Sequence, residues 1–301
     1  MTVTNPIDGS RTSDAVIVKP PSFIKRIGLD RPWMVIFAST YLALVVLVAI
    51  FAPLLQPYEH AAQDLFEIRN PPVFMGGDWN YILGSDDLGR DVLSRVIYGT
   101  KISVVIALVG TGIGAVLGSF LGIVAAHFRG WVDDFIMMFV DAQSSLPFLI
   151  FALAVLAFFS GSFIVLVIVV GIDGWERYAR LSRGMTLAGS SNDYIAAVKA
   201  LGVPTWKVYA RHLLPNILPA LMIQFTINLP GTILLETSLS FLGLGVQPPM
   251  TSLGQMLGYG RDYLLQAPWI AVAPGLIIFF ITLSISILGD WLRDHLDPSL
   301  R

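Results

Sequence analysis

Between Ile102 and Ala126 the chain runs for 25 residues without a charged side chain. A hydrocarbon layer of about 30 Å is crossed by about 20 mostly apolar residues in a helix, so this stretch is long enough to span one. Five further segments qualify or nearly do. Trp33–Leu55 is ended by Pro53 and Pro57, and Phe135–Phe159 is interrupted by Asp141 and Pro147. A segment from Ser162 to about Ser182 has a short apolar part and ends in WERYARLSR. About Asn216–Leu242 carries Pro219, Pro230 and Glu236, and Trp269–Leu288 is closed by Asp290. The composition agrees: 55% hydrophobic and 13% charged residues, against about 25% charged for a soluble domain. The expected fold class is an all-α integral membrane protein with six transmembrane helices.

Orientation follows from Lys and Arg, which accumulate on the cytosolic side. With the N-terminus inside, that side holds Arg11, Lys19, Lys25, Arg26, Arg31, Arg129, the six basic residues from Arg177 to Arg211, Arg293 and Arg301. The other side holds only Arg69, Arg90, Arg95, Lys101 and Arg261. Both termini are therefore expected in the cytosol. The predicted organisation is a polar tail over 1–32, without the cleavable apolar core of a signal peptide, then a first span over 33–55 and an extracytoplasmic loop over 56–101. A core over 102–292 follows, with five spans and a cytosolic loop at 190–215, and then a tail over 293–301. Ser160-Gly161 reads as a tight turn that makes the third and fourth spans antiparallel neighbours. In the outer loop, Ser85–Gly99 begins with acidic residues and carries Leu93, Val96 and Ile97 on one side, which predicts a surface helix. That helix either meets a substrate-binding protein or packs on the neighbouring loops. A second outer loop, Gly243–Pro268, is rich in Gly and Pro.

Several functions are excluded. A net charge of −2 does not suit a nucleic-acid partner, and the absence of cysteine removes disulfide and thiol chemistry. The four histidines form no HExxH or other close pair, so no metal site is expected. No G-x-x-x-x-G-K-[ST] cradle and no GxSxG elbow with a suitable histidine occur, so neither a nucleotide site nor hydrolase chemistry is expected on this chain.

The loop YIAAVKALGVPTWKVYARHLLPN, Tyr194 to Asn216, is too polar to span and is broken at Gly202. Ser191 or Asn192 can cap a helix over Asp193–Leu201, and Gly202 suits the left-handed position after it. Pro204 opens a second helix, Thr205–His212, which Pro215 is expected to separate from the fifth span. Ile195, Val198 and Leu201 form one apolar edge and Lys199 faces away. A helix this short cannot bury such an edge alone, so it packs on its own protein or docks in a partner's groove.

Polar groups within a span are costly and mark function by default. Asp141, near Gln143, and Glu236, with Ser240 one turn on and Asn228 on roughly the same face, are candidates for a polar translocation path; internal hydrogen bonding is the alternative. Gly110, Gly114, Gly118 and Gly122 recur every four residues and make a smooth stripe for close helix contact, within this body or with a second subunit. Arg177, Arg180 and Arg183 are expected as membrane-surface anchors, with contact to a partner or to the 190–215 loop as the alternative.

These residues together carry a resemblance. Ala196-Ala197-Val198, Gly202 after three residues, and His212-Leu213-Leu214-Pro215 after nine more resemble the coupling loop of ABC importer permeases. The usual leading acid is displaced, with Asp193 nearest, and His212 stands where isoleucine is usual. LGSDDLGRDVLSRVIYG (83–99), YARLSRG (178–184), RHLLPN (211–216), SLSFLGLGVQPP (238–249), GRDYLLQAPW (260–269) and LGDWLRDHLDP (288–298) resemble the dipeptide, oligopeptide and nickel branch of that family, over about residues 30–300. Two places depart from it: IDGWER (172–177), with Asp173 and Glu176, and Leu253, where Trp is frequent. The resemblance implies a type I ABC importer permease fold in the bacterial cytoplasmic (inner) membrane, paired with a homologous second permease. Two ATPase subunits, which hold the ATP and Mg, would dock on Ala196, Ala197, Lys199, Gly202, Arg211, His212 and Pro215. An extracytoplasmic substrate-binding protein would deliver the substrate. Di- or oligopeptides are the implied cargo; nickel chelates, glutathione, opines and oligosaccharides are alternatives. An ion-gradient-driven secondary transporter is the rival reading, and the lack of a second proline-interrupted span opposes it.

Overall fold

The computed structural model describes residues 32–159 and 162–296, and its regular elements are helices. Helix α1 (Pro32–Ile50) is followed by the short α2 (Ala52–Leu55), which carries Pro53 in its first turn. Helix α3 (Val92–Phe128) has 37 residues, about 55 Å at 1.5 Å per residue, so it projects beyond a bilayer core. Its start is set by Asp91, whose carboxylate accepts from the Ser94 amide at 2.8 Å. The expected separate surface helix at Ser85–Gly99 therefore does not form. Residues 92–99 are the first turns of α3, because nothing between Asp91 and the span breaks the helix, and Ser85 and Asp91 instead pair as an isolated bridge.

The predicted third span is two helices, α4 (Gly130–Ser145) and α5 (Phe148–Phe158), meeting at 92°. Pro147 causes the break, since its ring pushes the preceding residue out of the helical region and Leu146 sits at φ −98, ψ 139. The predicted fourth span is also divided. Helix α6 (Phe163–Ile172) has ten residues, about 15 Å, and gives way at Asp173 and Gly174 to α7 (Trp175–Ser190). Gly174 has φ +80, a conformation that residues with a Cβ rarely adopt. The Ser160-Gly161 turn lies outside the described residues, as do 1–31 of the tail and the last residues, 297–301.

Helices α8 (Asp193–Ala200) and α9 (Thr205–Val208) follow, and then α9 runs through a π-helical turn, Tyr209–Leu213, into α10 (Leu214–Phe241). The predicted break at Pro215 does not occur. A proline clashes with the carbonyl four residues back, and the wider π turn absorbs that clash: the Leu214 amide bonds to Tyr209 O, five residues back. The Gly- and Pro-rich outer loop contains α11 (Leu253–Gly260), and α12 (Trp269–Leu296) ends the described chain, about two turns beyond the expected membrane exit.

Among the described residues, four helices are long and apolar enough to cross a membrane, Trp33–Ile50, Val92–Phe128, Thr205–Phe241 and Trp269–Leu296, and the bent α4–α5 pair makes up to five. Their outer faces suit a hydrocarbon solvent: α1 exposes Ile36, Phe37, Leu44, Leu47 and Ile50. Helix α3 is the axis of the body. Its glycine stripe is buried, and a Cβ on Gly110 would lie 2.9 Å from Val170 Cγ1. One on Gly118 would meet Trp175 O at 2.1 Å, and one on Gly122 the Ala179 O at 2.2 Å. The stripe therefore packs α6 and α7 of the same chain. Gly114 lies against Gly171 O and Asp173 O, the carbonyls of the α6–α7 break. Around it, Ile102, Ile106, Ala152, Leu156, Leu166, Val169, Val170, Leu239 and Val246 join α3, α5, α6 and α10 in one apolar core.

Candidate functional site

At the end of the molecule where α3 finishes, α8 and α9 form an elbow around Gly202. The Ile195 and Ala196 amides bond to Asn192 O, at 3.0 and 3.2 Å, while Ser191 Oγ donates back to Ala188 O and closes α7. Gly202 has φ +78 and no atom within 4 Å of the place a Cβ would take. Ile195 is fully buried with Val208 and Leu213, and Val198 packs against them. The predicted apolar edge is thus only partly internal: Leu201 is 83% exposed and joins Trp206 and Tyr194 on the outer face. Ala196, Ala197, Arg211 and Pro215 are exposed too, and His212 is half-buried with its ring 6.3 Å from that of Tyr194. The side chain of Lys199 lies outside those described. One face of the elbow is therefore anchored to the parent and the other is open. Beside it, a groove of about 610 Å³ runs between α3 and α9, lined by Ile123, Phe128, Trp206 and Leu214 among others.

The three arginines of α7 form a ladder of contacts with α4 and α10 of the same chain. Arg183 grips Asp133 with two bonds, Nε to Oδ1 and Nη2 to Oδ2, both 2.5 Å. Arg180 Nη2 donates to Asp141 Oδ1 at 2.9 Å and to Ser144 Oγ at 2.8 Å, and Arg177 Nη1 donates to Asn228 Oδ1 at 3.1 Å. Planar guanidinium groups suit this forked pairing, and a charge at membrane depth needs a partner. Two of the path candidates, Asp141 on α4 and Asn228 on α10, thereby meet one helix. Gln143 serves another purpose: it accepts from Trp175 Nε1 at 2.8 Å and donates to Ile172 O at 2.9 Å, fastening α4 to the α6–α7 break. A Cβ on Gly174 would lie 3.1 Å from Asn228 Nδ2, so glycine there also leaves room for this amide.

Glu236 does not join that ladder, nor does it border a path in this conformation. It has no exposed surface. Ser240 Oγ donates to its Oε1 at 2.7 Å and Ser103 Oγ to its Oε2 at 3.2 Å. Those hydroxyls in turn accept from Val246 N and Leu253 N, each at 3.2 Å, and Ser252 Oγ donates to Ser240 Oγ at 3.3 Å. Glu236 is thus the hub that holds the 243–260 segment to α3 and α10. Asn228 lies on the same helix face two turns away, and the two are separated by Thr232, whose Oγ1 donates to Asn228 O and accepts from Thr111 Oγ1.

Sequence reading missed the ladder and α11. The ladder had a signal: acids at 133 and 141 and arginines at 183 and 180 pair in descending order, as antiparallel helices require. Helix α11 had one too, since Ser252-x-x-Gln255 is a capping box, and Ser252 Oγ does accept from the Gln255 amide at 3.2 Å.

Broken helices and paired charges within an apolar helical body, with an open elbow at one end, define a membrane-embedded transport component. Comparison with known proteins is specific: the family model "Binding-protein-dependent transport system inner membrane component" matches residues 114–301, and the chain belongs to this family. It is 37% identical over 262 residues to the "Di/tripeptide transport system permease protein DppC" of Pseudomonas aeruginosa, covering 87% of this chain and 86% of that one. It is 35% identical over 271 residues to the "Glutathione transport system permease protein GsiD" of Pectobacterium atrosepticum, covering 90% and 89%. Among solved structures, an inward facing conformation of the MetNI methionine ABC transporter superposes with a TM-score of 0.56 at 18% identity, over 68% of this chain and 97% of that one, a likeness of fold. The chain is accordingly a multi-pass permease of the inner membrane. It is a permease component, without a catalytic part or a cofactor of its own, of a transport system that depends on a binding protein.

Proposed function

We propose that this chain is one of two homologous six-span permeases of an importer for short peptides, with both termini in the cytosol. The elbow around Gly202 is the point at which each permease takes up the motion of one of two ATPases. The observation that carries this reading is the division of the elbow: Ile195, Val208 and Leu213 fasten it to the π turn that leads into α10, while Tyr194, Leu201 and Trp206 stay exposed for a partner. Because α9 continues through the π turn into α10, displacement of the elbow reaches the helix that carries Asn228 and Glu236. The divided α6–α7 segment completes the sixth crossing. The half-exposed Asp141–Arg180 pair supplies a polar border to the path, suited to a zwitterionic peptide. The di/tripeptide and glutathione permeases to which the chain is similar support a short-peptide cargo, since glutathione is itself a tripeptide.

The test is Gly202→Val. A β-branched residue at positive φ costs about 1–3 kcal/mol locally and stiffens the elbow, yet it meets no neighbour. The variant is expected to insert and to assemble with its second permease, but to lose peptide uptake and substrate-stimulated ATP hydrolysis in proteoliposomes. Unchanged uptake and stimulation would overturn the assignment of the elbow.

A further inference from the structure

On the far side of the body from the elbow, the 56–101 loop and the start of α11 enclose a second cavity, of about 310 Å³. At about 30 Å³ per water it holds the volume of about ten, far more than a single bridging water fills. Its charged walls are Arg90 and Arg95, with His60, Gln63, Thr251, Gln255 and Tyr259 as further polar neighbours. Arg95 is only 4% exposed. Its Nη1 donates to Asp86, its Nη2 to Thr251 Oγ1 at 3.2 Å, and its buried Nε finds no partner. Arg90 Nε donates to the same Asp86 oxygen at 2.7 Å. The other oxygen of Asp86 is taken by the Leu88 and Arg90 amides, at 2.9 and 3.0 Å. One buried carboxylate therefore serves two guanidinium groups from behind, and neither it nor Asp87, 3.5 Å from Arg90, lines the cavity.

Asp86 and Asp87 balance the two guanidinium groups in charge, but both stand behind them, so the cavity wall itself presents the arginines and not their carboxylates. The Arg95 Nε–H is buried without an acceptor, so the site is incomplete as it stands. A carboxylate brings acceptor oxygens to that wall, and guanidinium geometry favours it in that role. We propose that the cavity walled by Arg90, Arg95 and Gln255 binds a carboxylate presented from the extracytoplasmic side, either the C-terminus of a peptide or an acidic side chain of the binding protein. The side of presentation rests on the orientation given under the proposed function; the chemistry of the site does not.

The chain has no cysteine, which allows a direct test. Ala61→Cys places a thiol in the cavity wall, and Phe66→Cys places one on the same loop at a fully exposed position. The complete importer carrying each variant is placed in proteoliposomes, and anionic and cationic methanethiosulfonate reagents are added to each face in turn. The anionic-to-cationic rate ratio at position 61 is expected to exceed that at 66 severalfold, because the guanidinium groups face the cavity and their carboxylates stand behind them. N-acetylglycine should slow labelling at 61, its amide should not, and Arg90→Gln should abolish both effects while leaving the Phe66→Cys rate unchanged. Protection by a dipeptide alone identifies the peptide carboxylate as the ligand; protection by peptide-free binding protein identifies an acidic side chain of that protein. Equal ratios at 61 and 66, indifferent to Arg90→Gln, would overturn the site. The same charge preference seen from the opposite face would overturn the orientation and leave the carboxylate site standing.

Discussion

A methyl group on Gly118 would press on the carbonyl of Trp175 and on Tyr178 Cβ, 2.8 Å away, and neither is the loose end of a side chain. Gly118→Ala is therefore expected to destabilise the chain by about 1–3 kcal/mol, read as a lower melting temperature in detergent. Gly112→Ala is the control on the same helix. Its Cβ meets nothing within 4 Å, and the gain in helix propensity should leave stability equal or higher. Glu236 makes a second contrast. Glu236→Gln keeps an acceptor for one of the Ser103 and Ser240 hydroxyls and offers an N–H to the other, whereas Glu236→Leu strands both in the core. The first should stay near the parent in melting temperature and the second should fall by about 1–3 kcal/mol. The sequence made half of this hub legible, since Ser240 lies one turn from Glu236. Ser103 is 133 residues away, a distance at which only the packing of α3 on α10 brings partners together.

At the scale of elements, periodicity showed where helices are and proline and glycine showed where they stop, but not how sharply. Pro147 was visible as an interruption; the 92° turn it makes depends on α5 finding Leu166 and Val169 of α6 to pack against. Pro215 was misleading for a local reason. A proline ends an α-helix when the ladder cannot adjust, and here the chain widens by one residue into the π turn instead. That widening also sets how the elbow faces relative to α10, since one residue of register is about 100° of rotation in an α-helix. Pro215→Ala removes the need for the π turn. It should leave the chain folded but reduce stimulated ATP hydrolysis, and restoring α-helical register should appear as altered accessibility of a cysteine placed at Leu201.

Across the whole molecule, the number of crossings was less legible than their chemistry. Six apolar stretches qualified or nearly did in the sequence, yet among the described residues four helices are uninterrupted enough to span. The others are bent or divided where charged groups on α7 meet α4 and α10. Hydropathy cannot reveal this, because the pairs join residues about 40–50 positions apart, such as Arg183 and Asp133 at 50 and Arg180 and Asp141 at 39. Arg183→Ala strands the largely buried Asp133, and a stability loss of about 1–3 kcal/mol is expected. Asp133→Asn in the same chain should recover much of it, which a double-mutant cycle of melting temperatures would show.

The ladder also bears on the order in which the protein is made. Synthesis runs from the N-terminus at about 5–20 residues per second, so Asp133 enters the membrane roughly 2–10 s before Arg183 leaves the ribosome. For that interval α4 carries acids whose partners do not yet exist, and its hold on the bilayer waits on a helix still to be translated.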